Sequence, residues 1–270
     1  MTEYNKILLL SDMDGTLLDS ESRVSKENLA AVKRFIEHGG SFGIATGRSQ
    51  LNSVLFLDEL QINAPCILYN GGAIYDFDAK RFITLNELPK QGLVEFIKYC
   101  LKEYPETDLQ IYCPEMCYFV SEEERTGKDI VALHQPCRFC EIEELMERPW
   151  IKILISAETK QLHSIHKAMA DFGLDGIDSV FSSEIYLELL PFGVNKGSAL
   201  TRLREYLGGD YTIYAVGDYN NDVEMLQAAD IGIATGNALD SLKKVADKIT
   251  VCNDDHAIAD IIDHIIESKG

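Results

Sequence analysis

The sequence predicts an α/β fold: a doubly wound parallel sheet that is interrupted by an inserted α+β domain. Three observations support this prediction. Short apolar runs alternate with apolar residues at helical spacing in the first 72 residues or so and again after residue 195. The intervening stretch has a different pattern, in which hairpins and strands follow one another directly. Several apolar runs end in turns rich in Asp, Asn or Gly, where the ligand sites of open α/β sheets lie.

The first apolar run, from Ile7 to Leu10, predicts a strand that is buried on both faces. Asp12 and Asp14 follow it, and side chains two apart in an extended chain point the same way, so both acids are expected to face one pocket. Two neighbouring carboxylates repel each other, and a divalent cation relieves this repulsion. Oxygen ligands suit Mg²⁺. The alternative from this segment alone is an ordinary Asp-rich turn before Gly15.

The rest of the first stretch continues the alternation of strands and helices. Its predicted elements are a helix from Ser25 to about His38, a strand from Ser41 to Ala45, a helix with Leu51, Val54, Leu55 and Leu57 on one face, and a third parallel strand from Cys66 to Tyr69. Thr46-Gly47-Arg48 follows the second strand, and Asn70-Gly71-Gly72 follows the third.

The middle of the chain predicts a separate domain with its own core. Its expected elements are a hairpin over residues 73–85, strands at 109–113, 116–120, 151–156, 180–183 and 185–190, and helices around residues 89–101 and 162–172. Residues 122–149 suggest no regular element. We expect residues 86–188 to form the inserted α+β domain, and residues 1–85 and 189–270 to form a Rossmann-like core.

The first pattern resumes in the last stretch. Its predicted elements are a helix at 196–207, a strand at 211–216, a helix, a strand at 231–234, a helix, a strand at 249–251 and a closing helix at 255–267. Gly217-Asp218 and Asn221-Asp222 follow the strand at 211–216, at the edge where Asp12 is expected.

Composition limits the partners and the compartment. The chain has 270 residues and a formal net charge of −19, so it repels nucleic acid and anionic membranes, and we expect neither as a partner. Its seven cysteines form no disulfide framework, and Cys137 and Cys140 make a single pair that we interpret as structural or incidental. No stretch suggests a signal peptide or a membrane span. These features predict a cytoplasmic protein, as a monomer or homodimer.

The candidate site residues combine into one chemistry. Asp12 supplies a nucleophile and Asp14 a neighbouring acid, while Asp218 supplies a third carboxylate for a metal, with Asn221 and Asp222 around it. Thr46 offers a hydroxyl and a backbone N–H to a phosphate oxygen, and Lys196 offers a positive charge. This set predicts phosphoryl transfer through an aspartyl-phosphate.

Taken singly, each of these residues has a plainer explanation. Thr46-Gly47 is also a common strand-to-helix turn, Lys196 can be a solvated helix start, and Arg48 is expected to pair with a structural carboxylate. His163 and His166 suit a solvated helix face better than a metal site. The order of the residues, and their placement at strand ends or a helix start, favours the joint explanation.

The joint pattern resembles the haloacid dehalogenase superfamily of phosphatases, in its Cof-type branch with a large α/β cap. Asp12-Met13-Asp14-Gly15-Thr16 is similar to the first motif of the superfamily, Thr46-Gly47-Arg48 to the second, Lys196 to the third and Gly217 to Asp222 to the fourth. Gly236-Asn237-Ala238 strengthens the likeness. Met13 stands where Leu is usual, and Ala257 where Gly is common.

The resemblance implies a role for each matching residue. Asp12 is the nucleophile and a metal ligand, and Asp14 is the general acid/base, whose backbone carbonyl also reaches the metal. Thr46, Gly47, Lys196 and Asn221 bind phosphate. Asp218 is a Mg²⁺ ligand, and Asp222 supports the metal shell. Residues 86–188 are then a cap that selects the substrate.

The expected function is a Mg²⁺-dependent phosphatase that acts on a small phosphorylated metabolite, in particular a sugar phosphate. A phosphotransferase or phosphomutase on the same core is an alternative, since these residues would be shared. A non-catalytic phospho-accepting signalling domain is a third. Such receiver domains lack an insertion of this kind, and an acid at position 14 that speeds turnover argues against a stable phosphorylated state.

Overall fold

The computed structural model describes residues 4–56, 59–121, 136–208 and 210–267. The chain divides into two compact units, Met1–Thr84 with Asn195–Gly270, and Leu85–Val194. The strands among the described residues are β1 Ile7–Ser11, β2 Ser41–Ile44, β3 Cys66–Leu68, β4 Ala73–Asp76, β5 Arg81–Leu85, β6 Asp108–Tyr112, β7 Cys117–Phe119, β8 Cys137–Phe139, β9 Lys152–Ser156, β10 Ile177–Ser183, β11 Tyr186–Pro191, β12 Thr212–Gly217, β13 Ile231–Ala234 and β14 Lys248–Ile249.

The described helices include most of those predicted. The α-helices are α1 Lys26–Glu37, α2 Gln50–Ser53, α3 Leu93–Glu103, α4 Thr159–Ala168, α5 Lys196–Tyr206, α6 Val223–Ala228, α7 Asp240–Lys243 and α8 Ala257–Glu267. Short 3₁₀ turns cover Val54–Phe56, Tyr69–Gly71, Ile142–Leu145, Met169–Phe172, Asn220–Asp222 and Asn253–Asp255. As predicted, Ser25 caps α1, and its side chain accepts a hydrogen bond from the N–H of Asn28.

A parallel sheet lies at the centre of the first unit. Its strand order is β14-β13-β12-β1-β2, and all four pairings are parallel. Leu8 and Leu10 of β1 share a core with side chains of α5 and α6, such as Leu200. Leu9 points to the opposite face and is also fully buried, so helices cover both faces of the strand. The predicted α/β fold with a parallel sheet is confirmed.

The third predicted parallel strand and the helix before it differ from expectation. β3 begins a separate three-stranded sheet, in the order β3-β4-β5, and pairs antiparallel with β4. A single parallel bridge between Ala45 and Ile67 connects it to the end of β2. The helix after Arg48 is only one turn long, and Val54 and Leu55 are about half exposed, at 48% and 49%. Predicted Leu57 lies outside the described residues.

The second unit consists of a six-stranded sheet and the helices α3 and α4. The strand order is β10-β11-β9-β6-β7-β8, and only the β7–β8 pair is parallel among the pairings described. Phe96 of α3, Ile165 of α4 and Trp150 lie in its apolar core. The boundary predicted between residues 188 and 189 falls inside β11, and the second unit extends to Val194. Residues 122–135, for which no element was predicted, lie outside the described residues.

A buried ion pair lies on this second sheet. The Lys152 ammonium group lies 2.9 Å from a carboxylate oxygen of Glu188, and both side chains are at most 5% exposed. Ser182 donates a hydrogen bond to the other oxygen of Glu188, at 2.7 Å. Removing one partner of a buried pair costs more than replacing both, because the remaining charge loses its counter-ion.

We therefore expect Lys152→Met to lower the free energy of unfolding by about 3 kcal/mol in urea titrations. Lys167→Met, on the exposed face of α4, is the control and should change it by less than about 0.5 kcal/mol. Adding Glu188→Gln to Lys152→Met should recover part of the loss, because the buried carboxylate is then gone. Equal effects of Lys152→Met and Lys167→Met would contradict this account.

Candidate functional site

The turn after β1 brings Asp12 next to Asp218. Asp12 is 6% exposed, and its N–H donates to the carbonyl of Val216 on the neighbouring strand, at 2.9 Å. Gly15 has φ of +76°, and a Cβ built on it would lie 2.5 Å from Oδ2 of Asp218. Only glycine therefore permits both this backbone conformation and this close approach. Thr16, which sequence reasoning gave no role, donates its hydroxyl to Oδ1 of Asp218 at 3.0 Å.

Three carboxylates and one lysine form the centre of the site. Asp12, Asp218 and Asp222 each offer an oxygen, and these atoms lie within 4.8 Å of one another. The Nζ of Lys196, which is fully buried, donates to Oδ1 of Asp12 and Oδ1 of Asp222, each at 2.7 Å. The other oxygen of Asp222 accepts the backbone N–H groups of Asp218 and Tyr219, at 3.0 and 3.1 Å. Asp222 thus holds both Lys196 and the loop that carries Asp218.

Burial and mutual repulsion dominate the electrostatics of this cluster. Burial raises the pKa of Asp12 well above its ordinary value; Lys196 opposes the change, while Asp222 and Asp218 add to it. Burial, and then the charge of Asp222, raise the pKa of Asp218 to about 6. Burial alone would lower the pKa of Lys196, but Asp12 and Asp222 outweigh it and raise that pKa. Lys196 is therefore an ammonium ion, and the carboxylates around it favour a further cation.

The donor set suits a hard divalent cation. All three grouped ligands are carboxylate oxygens, which Mg²⁺ prefers, and Asp12 and Asp218 are shifted towards protonation when no cation offsets their charge. The Oδ1 of nearby Asn221 is buried and has no hydrogen-bond partner among the described residues. Asp222 belongs to the same group, although the sequence suggested only a supporting place for it. The predicted contact from the carbonyl of Asp14 remains a prediction.

Asp14 is not one of the three grouped carboxylates, although its charge is near enough to raise the pKa of Asp12. The chain leaves the extended conformation after Asp12 and coils over Met13–Leu17, and the same-side rule for strands then fails. The Asp14 side chain is 57% exposed, and its two oxygens accept from Nε and Nη2 of Arg48 at 2.8 and 2.6 Å. The expected structural partner of Arg48 is thus Asp14 itself. Arg48 also donates to Asn52 at 2.5 Å and lies over the ring of Phe56.

Thr46 offers a phosphate one hydrogen-bond donor fewer than the sequence predicted. Its N–H donates to the carbonyl of Ile67 at 2.9 Å, so this group does not serve a phosphate as the sequence suggested. Its buried hydroxyl accepts from the N–H of Arg48 at 3.2 Å, which leaves the hydroxyl hydrogen for donation. A Cβ on Gly47 would lie 3.0 Å from Nδ2 of Asn70, so Gly47 allows the Asn70 side chain to approach the Thr46 loop.

Asn70 is a residue of this site that sequence reasoning missed. Its Oδ1 accepts a hydrogen bond from Nδ2 of Asn221 at 3.0 Å, and its side chain is buried. The available signal was its place at the end of a predicted strand, before Gly71-Gly72, which resembles the placement of Asp12 and Asp218. Asn237 was noted only as part of a motif, and it donates to the carbonyl of Gly15 at 2.8 Å.

Comparisons with known proteins agree on one family. Residues 9–262 match the haloacid dehalogenase-like hydrolases. An HMP-PP phosphatase from Yersinia enterocolitica is 30% identical over 267 residues, which cover 95% of this chain and 94% of that protein. The 5-amino-6-(5-phospho-D-ribitylamino)uracil phosphatase of Bacillus subtilis is 24% identical over 263 residues, or 95% and 96% of the two chains. A haloacid dehalogenase-like hydrolase from Bacteroides thetaiotaomicron has a TM-score of 0.83 and 27% identity, over 97% of this chain and 100% of that one.

The geometry predicts that the charge of Lys196 stabilises the fold as well as the site. In buffer with EDTA, Lys196→Met should lower the free energy of unfolding by about 3 kcal/mol, because two buried carboxylates lose their shared cation. Lys244→Met, on an exposed helix end, is the control and should have little effect. Adding Asp222→Asn to Lys196→Met should restore part of the stability. If Asp222→Asn lowered the free energy of unfolding as much in the Lys196→Met protein as it does in the parent protein, the proposed charge balance would be wrong.

Proposed function

Because the chain belongs to the haloacid dehalogenase-like hydrolases, we propose that it is a Mg²⁺-dependent phosphatase that hydrolyses a small phosphorylated metabolite, in particular a sugar phosphate. This makes it a phosphoric monoester hydrolase, and its relatives are named as phosphatases. The observation that carries the proposal is the fully buried Lys196 between Asp12 and Asp222, with Asp218 alongside. With a divalent cation bound, such a centre can hold a phosphate dianion in a protein whose net charge is −19.

In the first step, a carboxylate oxygen of Asp12 attacks the phosphorus of the substrate. An O–P bond to Asp12 forms, the bond to the leaving oxygen breaks, and Asp14 supplies the proton that this oxygen takes up. Lys196 donates to Oδ1 of Asp12, which fixes the rotation of the carboxylate and places a positive charge beside the transferred group. The Thr46 hydroxyl and the Asn221 amide are the proposed neutral donors to the phosphate oxygens.

In the second step, water attacks the phosphorus of the aspartyl-phosphate and releases Asp12. Asp14 now accepts the proton of that water, so the carboxyl group that acted as the acid returns to its starting state. Both oxygens of Asp14 accept hydrogen bonds from Arg48, which orients the carboxyl group. Each oxygen keeps a second lone pair, which can take the proton.

We assign Mg²⁺ to Asp12 and Asp218 among the side chains, with the Asp14 carbonyl as a third ligand and Asp222 in support. When bound, this ion would neutralise the charge of the phosphoryl oxygens. The fit rests on the all-oxygen donor set and on the raised pKa values of two of its members.

Residues 86–188 are proposed as the cap that selects the substrate. They have a sheet and an apolar core of their own, as a separate module requires. The sugar-phosphate class is supported by the Bacillus subtilis relative, whose named substrate carries its phosphate on a D-ribityl group. No described helix is both long and apolar enough to cross a membrane. Since all seven cysteines are free thiols, we also propose a reducing, cytoplasmic location.

Hydrolysis is favoured over transfer to a second hydroxyl because the named relatives are phosphatases. The deciding experiment is a screen of the purified protein against phosphorylated sugars, nucleotides and cofactors, in which release of inorganic phosphate is measured without an added acceptor. A phosphotransferase or mutase would release phosphate only slowly under these conditions. A signalling domain would become phosphorylated once and then stop.

Turnover should depend on Mg²⁺. We expect EDTA to abolish phosphate release and excess Mg²⁺ to restore it, because three carboxylates around one lysine leave negative charge that repels the substrate. Ca²⁺ should restore little activity, since it adopts a larger and more variable coordination. Activity that survives EDTA and exhaustive dialysis would remove the metal from the proposal.

Replacing each of the two acids that follow β1 should impair a different step of the reaction. With p-nitrophenyl phosphate, whose leaving group needs no proton, Asp14→Asn should give a rapid burst of p-nitrophenol followed by turnover about 10²- to 10⁴-fold slower than the parent enzyme. Asp12→Asn should give neither a burst nor turnover. Both changes replace a carboxylate by an amide of equal size, so each is the control for the other. A burst from Asp12→Asn would place the nucleophile elsewhere.

A further inference from the structure

The turn that follows β3 has an unusual backbone. Tyr69, Asn70 and Gly71 have φ values of +54°, +53° and +99°. Side chains other than glycine rarely adopt this left-handed region, although Asn tolerates it better than most. Strained backbone of this kind persists only where its surroundings enforce it, and it is concentrated at functional sites.

The same turn contacts three of the loops that carry the proposed site. The N–H of Asn70 donates to the carbonyl of Thr46 at 3.0 Å, and the N–H of Tyr69 donates to the carbonyl of Arg48 at 3.1 Å. Gly71 packs so closely against the start of α5 that a Cβ would lie 2.2 Å from the carbonyl oxygen of Asn195, next to Lys196. The third loop is that of Asn221, whose side chain donates a hydrogen bond to the Asn70 side chain.

We propose that Asn70 is a positioning residue for phosphate binding, which acts by orienting the amide of Asn221. One hydrogen of the Asn221 Nδ2 group is donated to Oδ1 of Asn70, and this bond fixes the rotation of the amide. The second hydrogen on that nitrogen is then directed as a donor to a phosphate oxygen. The proposal rests on the proposed function, in which Asn221 contacts the phosphate.

Two features favour a functional role for the side chain over a plain turn. Asn70 is only 1% exposed, so its amide is held within the protein rather than solvated as in an ordinary surface turn. A Cβ at position 47 would lie only 3.0 Å from Nδ2 of Asn70, so Gly47 leaves room for that amide between the loop of Thr46 and the loop of Asn221. The backbone bonds of the turn would form equally well with glycine at position 70, whereas the bond to Asn221 would not.

The test is a double-mutant cycle between Asn70→Gly and Asn221→Ala, with p-nitrophenyl phosphate as substrate and inorganic phosphate as competitive inhibitor. Glycine keeps the positive φ and removes only the side chain, so the turn itself should survive. We expect Asn70→Gly to weaken phosphate inhibition and lower kcat/KM by about tenfold, the scale of one hydrogen bond. In the Asn221→Ala background the same change should cost less than about twofold, because its route of action is gone.

Lys80→Gly is the matched control. Lys80 also has a positive φ, +51°, but it lies in the exposed turn between β4 and β5. It should leave the kinetics unchanged. Urea titrations of every variant separate folding from function: a variant that binds phosphate less well with an unchanged free energy of unfolding supports the proposal.

Two results would overturn it. If Asn70→Gly leaves phosphate inhibition and kcat/KM unchanged, the side chain positions nothing. If its cost is the same with and without Asn221, it does not act through that residue. These outcomes differ from a failure of the proposed function, in which the parent enzyme itself would neither bind phosphate nor hydrolyse any ester.

Discussion

The hydrogen bonds of Lys196 to two buried carboxylates are the interaction on which the rest of the site depends. A fully buried ammonium ion is costly unless carboxylates surround it, and buried carboxylates are costly unless a cation lies between them. Asp12 comes from the end of β1 and Asp222 from the turn after β12, while Lys196 begins α5. Their mutual attraction therefore joins three distant parts of the sequence. Three carboxylates still outnumber one lysine, and this excess is what makes the centre suitable for a divalent metal.

Such crowding of charge is possible because the backbone around it lacks side chains at the points of closest approach. A Cβ on Gly217 would lie 2.3 Å from Cγ of Asp222, and one on Gly15 would meet Asp218. Alanine at either position would force a carboxylate away from Lys196 or from its neighbours. The glycines of the first and fourth motifs therefore serve the electrostatics directly, since they set how near the acids can come to one another.

The sequence was sufficient for the features that depend on strand ends and periodicity. Asp12, Lys196, Asp218 and Asp222 converge because parallel strands end at one edge of a sheet and a helix starts there, which spacing alone predicts. The sequence was insufficient where a local turn determines the direction of a side chain or of a backbone N–H group. The Asp14 side chain pairs with Arg48 and does not join the three grouped carboxylates, because the chain coils after Asp12. The N–H of Thr46 is used by a bridge to Ile67, which itself belongs to an unexpected antiparallel sheet. Asn70 also follows a predicted strand, but that placement alone does not reveal its contact with Asn221, 151 positions away.

The pair between Arg48 and Asp14 shows how a proposed acid/base can be held in place and still remain usable. Two parallel hydrogen bonds orient the carboxylate, and Asn52 and Phe56 in turn hold the guanidinium group. The Asp14 side chain is more than half exposed, and ion pairs in such surroundings contribute only about 0–1 kcal/mol. General acid–base catalysis by about 10²- to 10⁴-fold corresponds to roughly 3–5 kcal/mol. Even the loss of the whole pair would therefore cost much less than Asp14 contributes, so the pair can restrain the orientation of Asp14 between turnovers without suppressing its proton transfers.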